Sequence, residues 1–418
     1  MTNESTYKQV SFPFFKKNKT MITAAQATEI VLNNLMSLEV ETIPFEEAVG
    51  RILAENLIAD NDFPPFDRVM RDGIAFKYSD FENGVRRFKV QGLQAAGSAP
   101  LTLEGTGNCV EIMTGAVLST DADIVVMYEE ITIKNGFATV NLNAVKHFQN
   151  IHPQGSDKAK GTLLVAKGAW ISPAELGVAA SIGKTHLKVL KTPKVAIVST
   201  GDELVPVNET PLPYQIRRSN VFTLAPLLRN YKIEPTLFHL LDNREAVTAS
   251  IKKLIEEFDV VCLSGGVSKG KLDFVPDALE SCGVEKLFYK VKQRPGKPFW
   301  FGKTPNGTTI FALPGNPISS FMCTNRYLIP WLRASLGLEA LSLPYAELTD
   351  DFSFKKDLQY FLQVKTSYGT NGKLYVTPEV GNGSGDLVNL VDADGFLELP
   401  SDKNEFKKGE CYRFISYR

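Results

Sequence analysis

The sequence is poor in the residues that staple or switch small proteins. Five cysteines (Cys109, Cys262, Cys282, Cys323 and Cys411) and four histidines are spread over 418 residues. The cysteines are odd in number and widely spaced, with no Cys-x-x-Cys, so buried, reduced thiols are expected and a disulfide framework or zinc site is not. His147, His152, His186 and His239 fall at no metal or triad spacing and read as surface or packing residues. Charge of one sign is also missing, because 46 Lys and Arg stand against 47 Asp and Glu for a net charge of -1. That balance gives no global field for a polyanion and argues against a nucleic-acid scaffold, though not against a local basic patch. No apolar run approaches the roughly 18–20 residues a membrane helix needs, and residues 1–10 lack the apolar core of a signal peptide. No nucleic-acid partner, no membrane association and a cytoplasmic location are the expectations.

Composition is otherwise ordinary, with 44% hydrophobic and 22% charged residues, as in a soluble protein. At roughly 150 residues per domain the length predicts about two to four domains. Residues 1–20 carry Phe12, Phe14 and Phe15 before Lys16, Lys17 and Lys19 without any period, and are expected to be a loosely held N-terminal arm. From Thr23 the spacing of Ala27, Ile30, Val31 and Leu35 predicts an amphipathic helix, with Gln26 completing a capping box. Short β-rich runs at 87–92, 109–113, 124–130 and 137–142 predict a small inserted domain. Its flanks, 22–59 and 154–191, share a different texture and are able to pair with each other. From 192 to about 337 strand and helix alternate, which predicts a parallel sheet covered by helices, with strands at 194–199, 236–241 and 259–263. The helix between the last two is expected to start at Asp242, its carboxylate capping backbone amides. Beyond 343, alternating runs around an Asn371-Gly372 turn predict a small C-terminal β domain.

In an open α/β sheet, ligands collect beyond the carboxyl ends of the strands. There the first strand ends in Ser199-Thr200-Gly201-Asp202-Glu203 and the second in Asp242. The third ends in Ser264-Gly265-Gly266-Val267-Ser268, with Asp273 just beyond. Glycines let the backbone approach a ligand, and consecutive amides suit phosphate oxygens. The carboxylates of Asp202, Glu203, Asp242 and Asp273 would repel a bare phosphate. Either a divalent cation, for which oxygen ligands suit magnesium, or hydrogen bonds from ligand hydroxyl and amino groups resolves that conflict. Taken singly, Asp242 reads equally as a helix cap and Asp202 as a turn residue. Gly265, Gly270 and Lys271 match the Walker A spacing, but Leu272 stands where a hydroxyl should hold magnesium, so a P-loop is not expected.

Two further segments offer positive or dipolar groups. Gln293-Arg294-Pro295-Gly296-Lys297-Pro298 holds two permanent cations in a proline-stiffened stretch, and Leu313-Pro314-Gly315-Asn316-Pro317 leads into a helix whose first amides are open to an anion. Alone, each reads as a surface turn or an ordinary helix start. In the insert, Pro64-Pro65-Phe66-Asp67, Asp72-Gly73 and Glu111-Ile112-Met113-Thr114-Gly115 are turn signals of little specificity by themselves.

Together, in this order, these loops resemble the molybdopterin molybdenumtransferases, the bacterial MoeA type similar to the E domain of gephyrin. The resemblance runs from about residue 22 to Gly381-Asn382-Gly383-Ser384-Gly385 and Ala393-Asp394-Gly395. It implies a multidomain α/β plus β fold in four parts: a discontinuous elongated domain (21–60 and 149–190), an inserted β-rich domain (61–148), a MogA-like three-layer α/β domain (191–338) and a C-terminal β-barrel (339–418). It implies a homodimer, and insertion of molybdenum from molybdate into adenylylated molybdopterin with magnesium-assisted release of AMP. The molybdopterin adenylyltransferase that makes the substrate is an expected partner. The catalytic residues implied are Asp72, Thr114, Glu203, Asp242 and Asp273, with Asp242 and Asp273 also as magnesium ligands and Asp72 acting across the dimer. Substrate binding falls to Ser199, Thr200, Gly201, Ser264, Gly265, Gly266, Ser268, Arg294, Lys297, Pro314, Gly315 and Asn316.

The sequence departs from the pattern in places. Arg71 stands where the family has Met, Arg294 where Lys is common, and Leu358 and Gln363 where arginines are usual, which weakens any role for a barrel arginine. Two other readings are a non-catalytic gephyrin-like scaffold or pterin-nucleotide binder, and a nucleotide hydrolase that would need Lys271.

Overall fold

A computed structural model describes residues 21–268, 270 and 273–418; the expected arm at 1–20 and Lys271-Leu272 lie outside them. Two compact units emerge, Thr42–Val189 and a second formed by Leu190–Arg418 with the residues up to Glu41.

In the 42–189 unit the flanks of the insert do pair. Leu57–Ile58 runs antiparallel to Leu163–Val165, and single bridges join Ile52 to Trp170 and Leu53 to Val189. Leu53, Leu57, Ile171, Leu187 and Val189 close a core between them. The helix Pro173–Ser181 starts on a capping box made by Ser172 and Glu175. The insert is a six-stranded half-barrel in the order Ile124–Met127, Gly73–Phe76, Asn108–Ile112, Arg87–Gln94, Phe137–Val140, Ile131–Lys134. Phe76 and Phe88 stack at 4.3 Å in its core.

The other unit holds a six-stranded sheet in the order Thr236–Leu240, Val195–Thr200, Val260–Ser264, Thr309–Leu313, Trp300–Lys303, Glu285–Tyr289. The first four strands are parallel, and Trp300–Lys303 is antiparallel to both its neighbours, Thr309–Leu313 and Glu285–Tyr289. Val195–Thr200, Val260–Ser264 and Thr309–Leu313 are buried at every position, as expected of strands covered on both faces. Helices Asn220–Arg229, Arg244–Glu257, Val275–Ser281, Pro317–Cys323 and Ile329–Ser335 belong to the same unit. The first helix, Ala24–Leu32, carries the Thr23–Gln26 capping box that its sequence predicts. The segment after it joins the α/β layers, with the Trp331 indole donating to the Asn34 carbonyl at 2.8 Å and Met36 N–H to Ser335 Oγ at 3.1 Å.

The C-terminal strands close into a five-stranded barrel: Gln359–Tyr368, Leu374–Pro378, Tyr345–Leu348, Cys411–Ser416 and Gly395–Leu399, which returns to Gln359–Tyr368. Leu362, Val364, Val376, Leu397 and Phe414 fill it. Asn371-Gly372 forms the anticipated hairpin turn, with Gly372 at φ +76°. The short strand Gln293–Arg294 runs parallel to the barrel strand at Gln359 and Tyr360.

Candidate functional site

Three parallel strands end side by side, and a pocket of about 580 Å³ opens at their carboxyl ends. Each strand must turn sharply where its buried run stops, and the glycines permit it: Gly201, Gly265 and Gly266 sit at φ +136°, +109° and +65°. A Cβ on Gly265 would lie 2.6 Å from Thr200 Oγ1 and 2.8 Å from the Thr200 carbonyl oxygen, so the first and third strand tips are nested backbone to backbone. Asn220 is the fastening. Its side-chain amide donates to Ser264 Oγ at 2.8 Å and to the Gly315 carbonyl at 2.7 Å, joining the start of the Asn220–Arg229 helix to two of the tips. From the barrel, Ser384 Oγ accepts from the Asn316 amide at 2.8 Å, and Gly385 reaches the pocket wall.

The carboxylates are held individually. Asp202 Oδ1 accepts the backbone N–H of Asp242 at 2.9 Å, so the Asp202 side chain braces the second tip and does not line the cavity. Asp242 is not the helix cap expected from sequence. Asn243 takes that role, its Oδ1 accepting from Ala246 N–H at 2.9 Å, because asparagine caps as well as aspartate and sits one residue nearer the helix. Asp242 is thereby freed to line the pocket, where burial, reinforced by Asp202, Glu203 and Asp273, pushes its carboxyl above the usual aspartate range. Asp273 Oδ2 accepts from Gly270 N–H at 2.6 Å and also lines the cavity, as does Glu203. Burial, followed by the charge of Asp273, raises the Tyr289 hydroxyl, which donates to the Val267 carbonyl at 2.8 Å.

Of the residues expected to bind substrate, Ser199, Thr200, Gly201, Ser264, Gly265, Gly266, Ser268, Pro314, Gly315 and Asn316 all line the pocket. Arg294 and Lys297 do not, and Pro298 is their loop's contribution to the wall. The parallel pairing of Gln293–Arg294 with Gln359 and Tyr360 directs Arg294 toward the barrel, its guanidinium 5.7 Å from the Phe354 ring and 5.9 Å from that of Tyr360. The cations in the wall are instead Arg217 and Arg218, which sequence reasoning missed along with Leu204, Ile216 and Asn220. A basic pair directly before a helix start was the available signal. His239 is half-buried and does not line the pocket; its Nδ1 lies 3.1 Å from Ser199 Oγ, and burial followed by the Arg218 charge lowers its pKa.

In the 42–189 unit, Asp72 Oδ1 accepts from the Thr114 N–H at 2.7 Å and Thr114 Oγ1 at 2.6 Å. These two donors hold the exposed Asp72 carboxyl below the usual range. Nearby, Tyr128 donates to Glu111 at 2.9 Å, and its hydroxyl is pushed up to about 12 by burial and then by Glu111. Among the described residues no three His, Cys, Asp or Glu side chains converge closely enough to hold a metal ion alone, and no helix is long and apolar enough to cross a membrane.

Comparison with known proteins accounts for most of the chain. Residues 22–183 match the MoeA N-terminal region (domain I and II), 196–334 a probable molybdopterin binding domain and 345–417 the MoeA C-terminal region (domain IV). A molybdopterin molybdenumtransferase of Synechocystis is 38% identical over 401 residues, covering 95% of this chain and all of that protein. One from Staphylococcus epidermidis is 30% identical over 406 residues, covering 96% of each. The crystal structure of a molybdopterin biosynthesis MoeA protein from Pyrococcus horikoshii superposes with a TM-score of 0.82 at 30% identity, over 96% of this chain and all of that one.

Proposed function

The chain belongs to the molybdopterin molybdenumtransferase family, and from that premise we propose that its pocket takes adenylylated molybdopterin and molybdate, inserts molybdenum into the dithiolene and releases AMP. It is a transferase of molybdenum cofactor biosynthesis. The observation that carries the finer reading is the pocket itself, in which glycine-rich strand tips and three carboxylates, Glu203, Asp242 and Asp273, share one cavity.

Breaking the pyrophosphate places a nucleophilic oxygen on the phosphorus of the molybdopterin side, while AMP departs with the bridging oxygen. The charge developing there would be met by backbone amides of Gly266, Gly315 and Asn316, residues that line the cavity; the Gly265 amide is already spent on the Leu313 carbonyl at 3.1 Å. Glu203 orients the attacking water and accepts its proton. The residues also fit a magnesium ion. Asp242 and Asp273 are two oxygen donors in one wall, like charge and burial already disfavour a bare Asp242 carboxylate, and no three-ligand cage exists among the described residues. That pattern is typical of magnesium held by one or two carboxylates with water and substrate oxygens. Bound there, it would neutralise phosphate and molybdate oxygens.

We assign Asp72 and Thr114 to the same reaction from a second copy of the chain, in a homodimer working in the cytoplasm downstream of the adenylyltransferase. The division at 60, 148, 190 and 338 is part of the same reading. Arg294 and Lys297 are kept for the approach of molybdate from the barrel side.

The test is to incubate the purified protein with adenylylated molybdopterin, molybdate and magnesium, and to assay AMP and active cofactor together. Binding of the substrate with no AMP formed would replace the transferase by a pterin-nucleotide binder. Mixing Asp72→Asn and Asp242→Asn proteins, each inactive alone, should restore part of the activity if the second copy completes the site.

A further inference from the structure

The pocket wall contains a guanidinium that, although Glu203, Asp242 and Asp273 share the cavity, forms no ion pair with any described residue. Arg218 is half-buried and lines the cavity, yet its guanidinium makes no ion pair or side-chain hydrogen bond among the described residues, and its Nε is buried without a partner. A guanidinium partly withdrawn from water, with one buried N–H unmet, is left with donors to offer an anion.

Two short strands put it there. Leu204–Val205 pairs in parallel with Ile216–Arg217, and Arg218 N–H continues the ladder to the Val205 carbonyl at 3.0 Å. The basic pair is thus fixed to the segment that follows Glu203 and leads at once into the ten-residue helix Asn220–Arg229. That helix starts at Ser219, which supplies no side-chain cap, so the first amides are not satisfied from within. Thr200, only 5% exposed, lines the same cavity with its Oγ1 unpartnered, and Asn220 Oδ1 is also buried and unpartnered. An orphaned guanidinium, an uncapped helix start and a buried free hydroxyl in one wall describe an incomplete anion site.

We propose that Arg218, with the first amides of the Asn220–Arg229 helix and the Thr200 hydroxyl, binds the phosphate of the substrate's nucleotide end, so that it and not Arg294 or Lys297 is the cation facing the leaving AMP. This rests on the transferase reading for the identity of the nucleotide, but the anion site can be tested without turnover. The Leu204 and Ile216 side chains in the same wall give the adenosine an apolar surface.

The experiment is calorimetric titration of the full-length protein with AMP and, separately, with adenosine, for wild type, Arg218→Gln and Arg218→Lys, at two salt concentrations. Arg218→Gln should weaken AMP at least tenfold, the scale of a charge-assisted hydrogen bond, and flatten the salt dependence, while adenosine binding is unchanged. Arg218→Lys should recover part of the loss. Equal AMP affinity in wild type and Arg218→Gln would overturn the proposal, and so would an equal loss for adenosine, since that reports collapse of the wall. AMP bound through Arg218 by a protein that converts no adenylylated molybdopterin would leave the anion site standing and remove the transferase reading. Turnover insensitive to Arg218 would do the reverse.

Discussion

Asp202 Oδ1 accepts the backbone N–H of Asp242 at 2.9 Å, so one carboxylate at the edge of the pocket is spent on orienting another. The bond joins the tips of the first and second parallel strands and fixes where the Asp242 side chain leaves the backbone. Asp202 is exposed, so breaking the bond should cost stability little, about 1 kcal/mol or less. Asp202→Ala should therefore leave the unfolding midpoint nearly unmoved while lowering AMP release several-fold. An unchanged kcat would show that the second tip holds its shape unaided.

Asp242 itself is a liability to the empty fold. Its carboxyl is raised by burial first, then by the charges of Asp202, Glu203 and Asp273, outweighing the backbone hydrogen bond it receives from Asp202. Below the ordinary aspartate value of about 3.9 the group is neutral folded or unfolded, and no penalty exists. As pH rises through its raised value, the folded protein takes on the disfavoured charge. In metal-free buffer, Asp242→Asn should be more stable than wild type at pH 7, with the difference vanishing below about pH 4, and it should abolish AMP release. A variant less stable than wild type at pH 7 would mean that the carboxylate is stabilised by contacts beyond those described.

The strand tips were readable in the sequence because a buried parallel strand and the glycines after it leave a chemical signature wherever they fold. Ser199 to Glu203 and Ser264 to Ser268 needed no partner to be recognised. Arg217 and Arg218 were not readable, because what delivers them is a pairing of two-residue strands across a proline-interrupted loop, too short to show a period. Arg294 had the right chemistry and the wrong destination: its direction is set by register with Gln359 and Tyr360, some 65 residues later in the chain. The Asp242 cap failed for a smaller reason, since two adjacent residues were equally good caps and only the helix start decides between them. The pairing of the insert's flanks was legible in texture, but the docking of the Asn34 carbonyl on Trp331 was not, being a single tertiary hydrogen bond.

Gly265 is irreplaceable on two counts. Its φ of +109° disfavours any side chain, and a Cβ would meet the Thr200 hydroxyl and carbonyl oxygens at 2.6 and 2.8 Å. Gly265→Ala must push the third strand tip away from the first, widening the anion wall. It should raise the KM for adenylylated molybdopterin at least tenfold, and destabilise by about 1–3 kcal/mol from backbone strain. Gly283→Ala, in an open turn with nothing near its Cβ and a φ of +79°, supplies positive-φ strain without the collision. Equal KM values in the two variants would mean that the contact with Thr200 relaxes freely.

Asn220 bonds two partners at once, Ser264 Oγ at 2.8 Å and the Gly315 carbonyl at 2.7 Å, and so transmits between three loops. Asn220→Asp keeps the shape but turns the donating nitrogen into an acceptor facing the Gly315 carbonyl, which has no proton to give, so that only the Ser264 hydroxyl can turn to donate. It should cost about 1–3 kcal/mol, the penalty of unsatisfied buried polar groups. In a cycle with Ser264→Ala, a coupling energy of roughly 0.5 kcal/mol or more is expected for residues in direct contact. Strictly additive losses in urea unfolding would show that the two side chains do not share the bond.

The clearest stability test lies where the helical layer meets the barrel. Arg326 Nη2 and Glu398 Oε1 are 3.0 Å apart with side chains only 10% and 9% exposed, and the Gln359 amide donates to the same oxygen at 2.6 Å. Removing one partner strands the other as a buried charge, which typically costs about 3–5 kcal/mol, whereas removing both in favour of apolar groups is often neutral. Glu398→Ala should therefore be strongly destabilising, and the double variant Arg326→Met with Glu398→Leu should recover most of the loss. Because the pair lies outside the pocket lining, the double variant should keep its AMP affinity. Recovery of stability without recovery of binding would mean that the barrel's seating, through Ser384 on Asn316, depends on the ion pair's geometry and not merely on its burial.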